Sequence, residues 1–157
     1  MSDFLRFRQL LDEVLAPYAG RVIERLRDIQ GRPYDHSLSH ISFELRAGFP
    51  GEFPIMVYYM DAENCQVDAV GAPGGFEYLL EDFSLPDIET VQVKVEQLLP
   101  DTREAADIEA LAWERWLYER WQEAGFGTNA PPAYAEGYYS GVRIDLHTGE
   151  EGNAWDK

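Results

Sequence analysis

Cysteine is almost missing from this 157-residue sequence, with Cys65 its only example. No internal disulfide can form, and a chain without thiol pairs fits a reducing compartment. Long apolar runs are missing too. None approaches the roughly 18 residues of a membrane span, and Met1-Ser2-Asp3 opens the chain without a basic leader before an apolar stretch. The expectation is a cytoplasmic protein with neither a membrane partner nor a standard secretion signal. Lysine is scarce, with Lys94 and Lys157 standing beside eleven arginines, so the basic groups present favour bidentate pairing with carboxylates. Acidic side chains outnumber basic ones 29 to 13, giving net -16. That charge repels nucleic-acid phosphate, and DNA or RNA is excluded as the expected partner.

What is present suffices for one core. The chain is 45% apolar and 13% aromatic, within the size range of a single domain. We read residues 1–149 as one α+β domain and residues 150–157 as a C-terminal tail anchored only by Trp155. The charge is uneven: residues 1–60 hold 7 basic and 8 acidic groups, whereas residues 61–157 hold 6 and 21, most densely between Asp61 and Glu123. Such a field either solubilises the surface or steers a basic partner, and some of the acids are expected to be neutralised internally by arginine.

From Asp3 onward, Phe4, Phe7, Leu11, Leu15, Tyr18, Val22, Leu26 and Ile29 recur every three or four residues, which predicts a helix. Pro17 kinks it or divides it near Ala16, and Gly31-Arg32-Pro33 ends it. From Ser37 to Leu45 the period changes to two, with Ile41, Phe43 and Leu45 opposite His40, Ser42 and Glu44, as in a half-buried strand. Residues 47–54, holding two prolines and two glycines, read as a hairpin loop. Ile55 to Met60 reads as an inner strand, and Cys65, Val67 and Ala69 as a third and weaker one, which together suggest an antiparallel meander. Phe76 to Leu80 has no assignable type. Residues 87–99 fit a helix better than a strand, and Thr102 to Ala124 is a helix stopped by Gly125. Residues 125–137 read as a loop, and Tyr138 to Leu146 as a last strand with Val142, Ile144 and Leu146 inward. The expected fold is therefore an N-terminal helix, an antiparallel sheet of about four strands, and helices from the C-terminal half covering one face.

Motifs of chemistry fail in context. Gly125-Phe126-Gly127-Thr128-Asn129-Ala130 has the spacing of a dinucleotide loop but follows a helix and runs into two prolines. Gly71 to Gly75 lacks the lysine and hydroxyl of a phosphate loop. His36 and His40, on or beside a strand, would lie roughly 13 Å apart, too far to share one metal ion. Cys65 has no cationic neighbour in sequence and reads as a small inward hydrophobe. Ser140 is not on a nucleophile elbow, and Asp145 to Asp156 puts His147 and Gly149 where calcium needs oxygen. No cofactor, metal or catalytic residue is assigned. The residual enzymatic alternative is a small hydrolase-like site formed if His40, His147, Glu44 and Asp145 converge on the sheet.

The aromatic helix is more informative. Ala106, Ala110, Trp113, Leu117, Trp121 and Ala124 fall within about 80° of arc, a core face. Trp116 lies outside it, and Ile108, Leu111 and Tyr118 gather opposite. Either the helix is sandwiched between two layers, or Trp116 and Tyr118, with Glu114 and Glu119, form an exposed partner-binding patch. The functional expectation is an acidic, non-enzymatic protein-binding module for a basic protein, such as an inhibitor or immunity-type protein. A structural subunit that self-associates is the other alternative.

Overall fold

A computed structural model of the chain describes residues 2–45, 55–80, 103–125, 130–137 and 141–153. Helix α1 spans Asp3–Gly31. Ser2 caps it, its Oγ accepting the Leu5 N–H at 3.2 Å, and Asp3 complements the positive end of the helix dipole. Phe7, Leu11, Leu15, Tyr18, Val22, Leu26 and Ile29 are buried, as their spacing predicts. Pro17 lies inside α1 without ending it. Arg8 pairs with Glu119, while Arg27 and Gln30 donate to the Ala124 and Trp121 carbonyls. Contacts from both sides of Pro17 thus reach the last turns of α2 (Arg103–Ala124).

Strands β1 (His40–Leu45), β2 (Ile55–Met60), β3 (Phe76–Tyr78), β4 (Ala133–Gly137), β5 (Val142–Asp145) and β6 (Glu151–Asn153) form one sheet in the order β3-β2-β1-β4-β5-β6. All neighbours are antiparallel except β1 and β4, which run parallel. The α+β class holds. The expected antiparallel sheet of about four strands is corrected to a mixed sheet of six among the described residues. Helix α2 precedes β4 in the chain, and β4 enters the sheet beside β1 in the same direction.

Ile41, Phe43, Ile55, Val57, Tyr59, Ala133, Ala135 and Ile144 are buried on the face toward the helices, and the Phe43 ring meets Trp121 edge-on at 5.7 Å. Ala133 and Ala135 explain why β4 looked like a loop. Alanine is a poor strand former and two prolines precede it, yet small side chains let α2 pack closely on β4.

Three further expectations are corrected. Cys65 to Ala69 is not a strand; it contributes only the bridges Met60 to Gln66 and Ala69 to Ala72, and Cys65 is exposed in a turn where Asp61 Oδ1 accepts its N–H at 2.9 Å. The last expected strand is described from Val142, which is exposed instead of inward, while Tyr138 to Ser140 lie outside the described residues. Part of the expected tail is β6, held where Arg115 donates to the Gly149 carbonyl at 3.1 Å and pairs with Glu151 at 2.6 Å. The readings of residues 47–54, 87–99 and 126–129, and of Ser140 and Trp155, lie outside the described residues. Among the described residues no helix is long and apolar enough to cross a membrane.

Candidate functional site

Two places gather polar or exposed aromatic side chains. The first lies where α1 ends beside β3. Glu77 is the register partner of Val57, which turns its carboxylate toward the helix side. Oε2 accepts from Arg32 Nη1 at 2.6 Å and from the Tyr59 hydroxyl at 2.8 Å, and Oε1 accepts from Arg25 and from Arg32 Nη2. Burial opposes the Glu77 charge, but the hydrogen bonds from Arg32 and Tyr59 and the positive charges of Arg32 and Arg25 outweigh it and hold the carboxyl below its usual range. Tyr34, whose hydroxyl donates to the Ile29 carbonyl at 2.6 Å, is pushed up to about 12 by burial.

A groove of about 580 Å³ opens beside this network, with Arg21, Glu24, Arg25 and Asp28 on one wall and Tyr78, Leu79 and Leu80 on the other. Arg25 already engages Glu77, Asp28 and the Leu79 carbonyl. Arg32 reaches Asp28 and the Val70 carbonyl as well. These groups neutralise one another and tie β3 and the Val70-Gly71 turn to the end of α1, an architectural task.

The second place is the sheet face turned away from α1 and α2. Alternation puts His40, Ser42 and Glu44 of β1 there, beside Met56, Tyr58 and Met60 of β2. The register adds Phe76 and Tyr78 at one edge, and Tyr134, Glu136, Arg143 and Asp145 toward the other. Phe76 is 45% exposed and Tyr78 42%, and the Tyr58 and Phe76 ring centroids lie 6.4 Å apart. The Arg143 guanidinium sits 4.3 Å from the Tyr134 ring centroid, and His40 meets the same ring edge-on at 5.8 Å. Ser42 Oγ donates to Glu136 at 2.8 Å. Burial and then the Arg143 charge hold His40 below the ordinary imidazole value, against the pull of Asp61. Exposure on this face is uneven: Phe76 and Tyr78 are exposed at its edge, whereas Met56 and Ser42 are buried.

The sequence-predicted residues are placed differently. Trp116 is 1% exposed and Glu114 fully buried, with Glu114 Oε1 accepting the Gly137 N–H at 2.9 Å. Tyr118 is half-buried against Gly149, where an added Cβ would lie 2.9 Å from its ring, and the exposed Glu119 pairs with Arg8. The expected patch on α2 is thus corrected: two of its four residues are inside, because α2 is sandwiched between α1 and the sheet. The His40 and His147 cluster is corrected as well. His40 packs on Tyr134 on the sheet face away from α1 and α2, whereas His147 packs on Trp121 on the helix side and its Nε2 lies 2.8 Å from the Pro131 carbonyl. Among the described residues no three His, Cys, Asp or Glu side chains converge to hold a metal ion.

No family model, curated protein or solved structure matches the chain.

Proposed function

We propose that this protein is an acidic, non-enzymatic protein-binding module for a basic partner, in the manner of an inhibitor or immunity-type protein, and that it works in the cytoplasm. One observation carries the reading: the edge strand β3 presents Phe76 and Tyr78 half-exposed, on the sheet face that also carries Glu44, Glu136 and Asp145, in a chain of net -16. Exposed aromatics supply the desolvation that makes binding specific, and the acidic field supplies the attraction that speeds encounter. Two copies of so acidic a chain repel each other, so a basic protein is favoured over self-association. The lone, exposed Cys65 fits a reducing compartment.

The test uses the full chain as bait at low salt and at roughly 0.5 M, where the Debye length falls to about 4 Å, beside a Phe76→Ala/Tyr78→Ala double variant. The supporting result is a basic protein retained by the wild type, released by salt and lost from the variant. A partner held equally by both baits at both salt levels overturns the reading.

A further inference from the structure

We draw no further inference here: the strongest candidate, the groove between α1 and the edge strand β3, sets Arg21, Arg25 and the adjoining Arg32 against Glu24, Asp28 and Glu77, so that it favours neither sign of charge, and nothing in the structure shows what covers it.

Discussion

Arg32 and Glu77 meet at 2.6 Å, one just past the end of α1 and the other on the edge strand β3, with side chains 9% and 12% exposed. The pair fixes the edge of the sheet against the helix layer, and so the position of Phe76 and Tyr78 on the opposite face of the same strand.

Removing Arg32 leaves the half-buried Glu77 with Arg25 and Tyr59 alone and frees β3 from the end of α1. Arg32→Ala should cost about 2–3 kcal/mol, read as a lower denaturation midpoint at unchanged slope. Arg32→Lys should recover only part of the loss, because one ammonium cannot serve Glu77, Asp28 and the Val70 carbonyl together. A loss below about 1 kcal/mol for Arg32→Ala would remove this lock from the account of the fold.

Two carboxylates predict opposite responses to pH. Glu77 is lowered in the folded chain, so the unfolded chain binds more protons at acid pH and its stabilisation, present above its unfolded pKa, fades as pH falls. Glu109 is raised to about 7 by burial, so the folded chain holds that proton longer and stability declines as pH rises from the unfolded value toward 7. Glu109→Gln should therefore stabilise the protein by up to about 3 kcal/mol at pH 8 and have little effect near pH 4. Thermal melts of both proteins across that range check the sign. A Glu109→Gln variant less stable than wild type at pH 8 would refute it.

The turn leading into β3 holds two successive glycines, Gly74 and Gly75, at positive φ, and Gly75 is the crowded one. Gly75 has φ +82°, and a Cβ there would lie 2.7 Å from the Val67 carbonyl oxygen, a backbone atom that cannot step aside cheaply. Gly75→Ala should cost about 2 kcal/mol or more and weaken the partner contact proposed for Phe76. Gly20→Ala, in α1 with open space around the new methyl, should instead gain about 0.5–1 kcal/mol. Chemical denaturation of the two variants side by side separates these outcomes.

Much of this architecture was legible in the sequence because it rests on local periodicity. The 3.6-residue spacing from Phe7 to Ile29 marked α1, and the alternation of β1 marked which of its residues enter the core. What escaped was nonlocal. Ala133–Gly137 has no apolar bulk to announce a strand, and without β4 neither the parallel pairing with β1 nor the placement of Tyr134 beside His40 could be foreseen. Three-residue β3 is too short to show a period, although it carries the most exposed aromatics of the face. The aromatic content of α2 was visible, but which side of that helix another layer covers is decided by α1, far away in sequence. For that reason Trp116 and Glu114 stood out as surface candidates and are interior.

Tryptophan and phenylalanine now make opposite predictions on the two faces of the sheet. Trp116, 1% exposed, packs edge-on against Trp113 at 6.4 Å and beneath the Arg120 guanidinium, so Trp116→Ala should cost about 3–5 kcal/mol and its indole should be shielded from soluble quenchers. Phe76, on an exposed edge, should tolerate Phe76→Ala within about 1 kcal/mol. Affinity for a partner should follow the reverse order: Phe76→Ala weakens it by about 2 kcal/mol or more, if it anchors the contact. Trp116→Ala should weaken it only as far as it unfolds the chain, a loss that cooling or a stabilising Gly20→Ala background restores. Were Phe76→Ala to destabilise the monomer as much as Trp116→Ala does, β3 would be part of the core and its exposed aromatics would lose their claim to recognition.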